Sequence, residues 1–435
     1  MKFTPITVKT VVKGDLDLVW RCFTEPEHVM KWNFASEDWH CPEAKNDLRA
    51  GGSFCYKMAA KDGSFSFDFE GVYEEVVMHE KIAYALGDER RVKIEFIPHG
   101  DSVELIEIFD AEGENSLDMQ RDGWQSILNN FKRHVEKKHV NRHKIVTHLW
   151  FDKEAGDAAE LYLSVFENSR LIDRTELSGT PSGTVESFTL QIEDHRIMLL
   201  SAGPYVKVNP SISFMVSSAD EEEIKHFWNR LSEGGNVLMP FDTYPFSPLY
   251  GWVEDRFGVS WQLMWVKDGP IAAKIKPALM FVGENAGHAE EAIRFYTETF
   301  KHARINAVSR YGDGMEPNTP EMLNYADFVL EGQHFSAMDS AYEHDFYFND
   351  AISIIVNCES QEEIDYYWEK LSAVPESEQC GWIKDRYGLS WQITPDRMND
   401  MMREGSPEAL KRVTEAFLKM KKFDLATLEA AYRGE

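Results

Sequence analysis

GWVEDRFGVSWQLMW, Gly251 to Trp265, returns later in the chain as GWIKDRYGLSWQITP, Gly381 to Pro395. From the first glycine to the glutamine, eight of twelve positions are identical, and three of the four differences are Val/Ile, Phe/Tyr and Val/Leu. A long-period repeat decides the architecture before any single element is read. A second stretch agrees with the first: ISFMVSSADEEEIKHFWNRLS (Ile212 to Ser232) shares nine of 21 residues with ISIIVNCESQEEIDYYWEKLS (Ile352 to Ser372). The offset is 140 there and 130 at the later phrase, so the first copy carries ten extra residues, which the sequence places in a loop, GGNVLMPFDTYPFSPLY.

Each copy has the same grammar. An apolar strand around Leu149 or Leu279 leads into a helix with apolar residues at Ala159, Tyr162, Leu163 and Phe166, or at Ala289, Ala292, Ile293, Tyr296 and Phe300. A second strand, Ile212 to Val216 or Ile352 to Val356, leads into a second helix striped by Ile224, Phe227, Trp228 and Leu231, or by Ile364, Tyr367, Trp368 and Leu371. The repeated phrase supplies the last hairpin, so each copy reads as two β-α-strands half-units. The first 140 residues differ. Segments such as VKIEFI and VELIEIF alternate apolar with polar residues, and a helix with Trp124, Ile127, Leu128, Phe131 and Val135 on one side follows, as in a curved antiparallel sheet gripping a long helix. Beyond Pro395 the chain is helical, with Ser406 as a cap, Pro407 in the first turn and a stripe of Leu410, Val413, Phe417 and Met420. The expected class is α+β, with domains at 1–140, 141–269 and 270–396 and a helical tail at 397–435.

Composition narrows the function classes. A length of 435 residues calls for several cores, and 43% hydrophobic residues can fill them. The formal charge of −28 repels phosphate backbones and anionic lipid, which argues against nucleic-acid and membrane-surface partners. The basic run HVEKKHVNRHK, His134 to Lys144, reads as a helix C-terminus followed by a solvated linker. Five scattered cysteines without a CxxC pair point to reduced thiols, and neither a spanning segment nor a signal peptide is recognisable, so a cytoplasmic location is expected. GxSxG, Walker and dinucleotide-binding motifs are absent.

The paired grammar, FYxxxF at Phe295 to Phe300 with LYLSVF in the first copy, and the phrase GW-x-x-DR-[FY]-G-x-SWQ together resemble the PhnB-like branch of the vicinal oxygen chelate superfamily, over about Lys144 to Pro395. VWRCFTEPEHVMKW (Val19 to Trp32), NDLRAGGSF (Asn46 to Phe54), FEGVYEEV (Phe69 to Val76) and DGWQSILNNFKRHV (Asp122 to Val135) resemble the SRPBCC, or START-like, fold related to an activator of the heat-shock ATPase. These resemblances imply a helix-grip domain enclosing an apolar cavity, then two glyoxalase-fold domains, each of paired βαβββ units. Metal-dependent members of the chelate superfamily hold a divalent ion with three or four His, Glu or Gln ligands. The corresponding positions fall near Thr147 or His148, near Met198, near Ser211 and at Gln262 in the first copy. In the second they fall near Pro277 or Ala278, near Ser336, near Ala351 and at Gln392. At best two neutral donors result, so the resemblance implies the fold without its metal, and no cofactor is expected.

Gln262 shares a strand face with Ser260 and Met264, as Gln392 does with Ser390. Either this face receives a small ligand, or the amide satisfies buried groups beside the turn and the whole phrase serves folding; a phrase kept in both copies favours the second. In ASEDWHCPEA, His40 and Cys41 are adjacent on extended chain and point apart, which counts against a Cys–His nucleophile, and the stretch reads as a loop at the cavity mouth. Glu222 and Glu223, like Glu362 and Glu363, sit where they complement a helix dipole. The ligand-contacting candidates are therefore His148, Ser211, Ser260, Gln262, Ser390, Gln392, Trp39 and His40, with no catalytic residue assigned. The leading expectation is a protein that binds small apolar or aromatic metabolites, able to form homo-oligomers. The rivals are a divalent-metal isomerase or dioxygenase and a chaperone-associated adaptor.

Overall fold

The computed structural model describes residues 3–14, 16–100, 102–141, 143–180 and 182–435. The chain divides into two compact units, the first ending at residue 142 and the second running from His143 to Glu435. In the first, seven strands form one antiparallel sheet: β1 (Pro5–Lys13), β2 (Trp39–Asn46), β3 (Ser53–Ala60), β4 (Ser66–Val77), β5 (Lys81–Leu86), β6 (Arg91–His99) and β7 (Ser102–Asp110), in the order β1-β7-β6-β5-β4-β3-β2. Period-two alternation turns Val103, Leu105 and Phe109 of β7 inward. Three helices, α1 (Leu16–Thr24), α2 (Pro26–Trp32) and α3 (Leu117–Asn141), complete the unit. The sequence stripe of α3 buries Leu128, Phe131 and Val135, and Trp124 stacks on Phe109 with ring centroids 4.1 Å apart. The stretch expected as a loop at the cavity mouth is the edge strand β2 instead. Its Pro42 falls in the register irregularity between His40 and Glu43, where a missing N–H costs no ladder bond.

The second unit contains the two copies. The first copy has β8 (Ile145–Phe151), α4 (Ala155–Val165), β9 (Ser169–Thr180), β10 (Gly183–Ile192) and β11 (His195–Ser201), then β12 (Ile212–Ser218), α5 (Glu221–Leu231), β13 (Asn236–Tyr244), β14 (Ser247–Glu254) and β15 (Ser260–Trp265). The second copy has β16 (Ile275–Phe281), α6 (Ala289–Thr299), β17 (Ala303–Arg310), β18 (Leu323–Leu330) and β19 (Gln333–Asp339), then β20 (Ile352–Cys358), α7 (Gln361–Leu371), β21 (Trp382–Lys384) and β22 (Ser390–Pro395). The sheets cross the copies. One sheet, β21-β22-β20-β8-β11-β10-β9, joins the first half of copy one to the second half of copy two. The other, β13-β14-β15-β12-β16-β19-β18-β17, joins the remaining halves. The seams are the antiparallel pairs β8–β20 and β12–β16. The break at 269/270 therefore separates sequence copies but not sheets. Ion pairs also run from copy to copy, Lys144 with Glu363 and Lys274 with both Glu223 and Glu193. Glu223 and Glu363 thus do more than complement a dipole. Lys144, expected in a solvated linker, is committed to the second unit, whereas Arg142 of the same basic run lies outside the described residues.

What stays within each copy is the lock between its first helix and its last hairpin. The Asp255 carboxylate in the repeated phrase is buried and accepts from Tyr162 Oη (2.8 Å), Trp261 Nε1 (2.9 Å) and the backbone N–H groups of Phe257 (2.9 Å) and Val259 (3.1 Å). Asp385 does the same with Tyr296 Oη (2.7 Å), Trp391 Nε1 (2.9 Å), Tyr387 N (2.8 Å) and Leu389 N (3.1 Å). Phe166 packs on Trp261 and Phe300 on Trp391. The tyrosine and phenylalanine of LYLSVF and FYTETF are thus the partners of the aspartate and tryptophan of the phrase. Burial pushes the Asp385 carboxyl from 3.8 up to about 6, although the four donors oppose the shift.

The ten extra residues of the first copy form the edge strand β13, not a loop, with Phe241 stacked on Trp228 over Gly251. In the second copy the tail takes this place. Cys380 N and Gly381 N donate to the carbonyls of Met420 and Lys421, and a Cβ on Gly381 would lie 2.5 Å from the Phe423 ring. An exposed edge is covered in both cases, by a strand or by a helix connection. The tail has three helices, α8 (Asp396–Glu404), α9 (Pro407–Phe417) and α10 (Leu425–Arg433). Ser406 Oγ caps α9 by accepting from Ala409 N at 3.2 Å. Val413 and Phe417 join Met401, Phe423 and Leu428 in a small core of their own. No helix among the described residues is long and apolar enough to cross a membrane.

Removing the anchor should be costly. Asp385→Ala leaves four donors without their acceptor and is expected to destabilise the second unit by about 3 kcal/mol or more, against about 1 kcal/mol for Tyr296→Phe, in denaturant unfolding of the full chain. Equal effects would show that the node is not what holds the hairpin. The raised Asp385 pKa means that the folded state holds its proton more tightly than the unfolded chain. Its contribution is full below about pH 4 and falls as pH rises to about 6, a slope that Asp385→Asn should remove from the pH dependence of stability.

Candidate functional site

Because the sheets cross the copies, His148 and Gln392, which the sequence assigns to different domains, lie on one sheet. His148 on β8 faces Met198 of β11 and Ser353 of β20. The Ser353 hydroxyl accepts from Gln392 Nε2 at 2.9 Å and lies 3.3 Å from His148 Nδ1. The His148 ring meets the Trp382 indole edge-on, and burial drives its pKa down to about 3, so it stays neutral. Thr147 points to the other face, toward His195 Nε2 at 3.0 Å. The second sheet repeats the arrangement without the histidine. Ala278 stands opposite Ser213 and Ser336, Gln262 Nε2 donates to Ser213 Oγ at 2.8 Å, and Tyr250 Oη donates to Gln262 Oε1 at 2.9 Å.

The register therefore corrects two positions, since Ser213 and Ser353 occupy the places assigned to Ser211 and Ala351. Ser211 lies two residues earlier, where its backbone N–H donates to Asn209. Ser260 Oγ accepts from Trp252 Nε1 at 2.6 Å, and Ser390 Oγ donates to Asp350. The donors at these positions do not suit the superfamily's ion. One sheet offers an imidazole and an amide, the other an amide alone, and every one of these groups is already engaged with a side chain. The sheet that holds Gln262 also carries a polar network that the sequence reading missed. Lys276 Nζ donates to Tyr325 Oη (2.7 Å) and Asp327 Oδ2 (2.5 Å), Asn306 Nδ2 donates to Asp327 Oδ1 (2.6 Å), and His334 lies 3.6 Å from that oxygen. Like the glutamine networks, it is largely satisfied from within.

The first unit differs. Between its sheet and α3 lies a cavity of about 280 Å³, walled by Phe23, Trp32, Phe54, Met58, Phe67, Phe69, Ile82, Trp124, Ile127 and Leu128, with the phenols of Tyr56, Tyr73 and Tyr84 among them. Tyr73 Oη donates to Asn46 Oδ1 at 2.7 Å. Among the described residues one carboxyl lines this space. Glu107 on β7 takes the inward register with Val103, Leu105 and Phe109, and its strand neighbours are Val8 and Ile94. It is 7% exposed, and no hydrogen bond or ion pair reaches it among the described residues. Arg90, also in the wall, is held by Asp88 at 2.7 Å. Burial alone pushes the Glu107 carboxyl up from 4.5 to about 8. A signal for it stood in VELIEIF. Read with period two, Val103, Leu105, Glu107 and Phe109 share a face, and the acid is the one break in an apolar row.

Trp39 and His40 are on edge strand β2, where Trp39 meets Phe65 and the cavity residue Phe67 at ring distances of 6.1 and 5.9 Å. Neither Trp39 nor His40 lines the cavity. Cys41 is buried and burial raises its pKa to about 11, the reverse of an activated thiol.

The comparisons with known proteins fall on the same divisions. The model of the family described as 3-demethylubiquinone-9 3-methyltransferase matches residues 143–264 and again 273–394, and that of Activator of Hsp90 ATPase homolog 1-like protein matches 14–136. Among solved structures, an AHSA1-like protein from Aeromonas hydrophila is 36% identical over 32% of this chain and 97% of its own, with a TM-score of 0.31. Chr148 from Cytophaga hutchinsonii is 48% identical over 32% of this chain and 96% of its own, with a TM-score of 0.29. A PhnB protein from Bacillus cereus is 29% identical over 28% of this chain and 100% of its own, with a TM-score of 0.27. No curated protein matches the chain. With two matched segments that cover more than half of its length, the chain belongs to the family described as 3-demethylubiquinone-9 3-methyltransferase, and it carries at its N-terminal end a domain of the Activator of Hsp90 ATPase homolog 1-like family.

Proposed function

We propose that the first unit binds a small, mostly apolar molecule whose one polar group is received by Glu107, and that the two copied segments form the scaffold of the second unit. The observation that carries this reading is a buried carboxyl, without a partner among the described residues, facing a cavity of about 280 Å³. Burying such a group without a hydrogen bond costs on the order of 1–3 kcal/mol, and an aliphatic residue between Val8 and Ile94 would serve the core better. The volume is near the lower end of small-molecule sites, about 300–1,000 Å³, and the aromatic wall suits a ring. At neutral pH the Glu107 carboxyl is protonated and can both donate to and accept from a carbonyl, hydroxyl or amide. An amine would instead take its proton and form an ion pair out of water.

Thermal shift of the full chain with a panel of aromatic amines, alcohols and amides tests this. A ligand at about 100 times its Kd stabilises the first unit by about 2.7 kcal/mol, and Glu107→Leu should weaken binding at least about tenfold. A panel without a single stabilising member, or equal binding by the leucine variant, contradicts the proposal. The acid also marks the ligand-free protein. Its folded pKa of about 8 lies above the ordinary 4.5, so its contribution to stability declines as pH rises from about 4.5 to about 8 and is level above that. Glu107→Gln should therefore raise the melting temperature more at pH 8 than at pH 5. The same increment at both values would mean that the carboxyl is solvated.

A further inference from the structure

We infer that Cys22, His28 and His134 form a binding site for a divalent transition-metal ion of the zinc type, separate from the Glu107 cavity and independent of the ligand reading. Cys22 is on α1, His28 on α2 and His134 on α3, and one sulfur and two imidazole nitrogens lie within 4.8 Å of one another. His28 Nδ1 and His134 Nε2 are 3.1 Å apart. With Zn–N bonds of about 2.0–2.1 Å, two nitrogens on a tetrahedral ion are about 3.3 Å apart, so the rings need move little to share one.

The surroundings fit the same reading. The other nitrogen of His28, Nε2, lies 3.5 Å from Glu25 Oε2, and Arg21 Nε holds that carboxylate at 3.0 Å through Oε1. A carboxylate near Nε2 favours the proton on that nitrogen, so Nδ1, the atom that meets His134 Nε2, is the one His28 would turn to an ion. The helix that carries the thiol is fixed in turn, since Trp32 Nε1 donates to the Cys22 carbonyl at 2.8 Å. Cys22 and His28 are 0% and 2% exposed, whereas His134 is only partly buried and forms the solvent side. A hydrogen bond between two histidines would account for the imidazole pair alone. It calls for neither a buried thiol at the same point nor a carboxylate behind one ring. One sulfur and two nitrogen donors suit zinc, cobalt or copper and are poor ligands for magnesium or calcium. Three protein ligands leave a fourth position for water. An ion here would tie α1 and α2 to α3, the helices that carry the wall residues Thr24, Trp32 and Leu128.

The probe is cobalt(II), added to chelator-stripped full-length protein. The expected result is saturation near one equivalent, with a near-ultraviolet sulfur-to-cobalt charge-transfer band that zinc displaces, and a melting temperature raised by zinc. Cys22→Ser should abolish the band, and His134→Ala should weaken cobalt binding by more than about tenfold. Because Cys22 is fully buried, the partly exposed His134 decides the matter if the serine variant does not fold. The absence of the band in the native chain, or a band and affinity unchanged in His134→Ala, would overturn the inference. So would a band retained in folded Cys22→Ser.

Discussion

A carboxyl taken out of water has to be met by donors, and how this chain answers that demand separates its scaffold from its candidate site. Asp255 and Asp385 are each met four times, by a tyrosine, an indole and two backbone amides. Donors held in this number repay much of the desolvation and fix the turn, the strand and the helix that supply them. The repeated phrase is kept twice because each copy must build this node. Gln262 and Gln392 belong to the same economy, because each gives its amide hydrogen to a serine on the neighbouring strand. Glu107 receives no such answer from the described residues.

The node also explains how two copies can exchange strands and remain distinct. Within a copy, tyrosine and aspartate bind the first helix to the last hairpin. Between copies, β8 pairs with β20 and β12 with β16, and the lysine–glutamate pairs lie along the same exchange. Each half-unit is thus held by two different partners, one through its helix and one through its strand. Neither copy completes a sheet by itself, and the break between them in sequence is not a break in structure.

The repeat, the helical stripes and the tail cap at Ser406 could be read from the sequence because each depends on local periodicity or a local hydrogen bond. The exchange of halves could not. IVTHLWF and ISIIVNC are buried on both faces and mostly apolar, so pairing within a copy and pairing across copies bury the same surface. β13 was hidden for a related reason, because Pro240 and a run of aromatic and turn residues read as a loop, although an edge strand tolerates them. The candidate site was half legible. His148, Gln262 and Gln392 are inward-facing and buried or nearly so, yet their serine partners, which turn them from ligand donors into sheet fasteners, lie two residues from the positions assigned by resemblance. Glu107 was visible only to a strict count along β7. The Cys22, His28 and His134 cluster lies on three helices, the last more than a hundred residues beyond the others, so no spacing motif announces it.

On this reading the first unit keeps an acid in reserve for something outside the chain. Carbon-13 NMR of glutamate side-chain carboxyls in the full-length protein, with Glu107→Gln to assign the resonance, measures this directly. One carboxyl should titrate near pH 8 and be displaced when a ligand fills the cavity. A Glu107 midpoint at the ordinary value near 4.5 would mean that water already reaches the acid, and would contradict this reading.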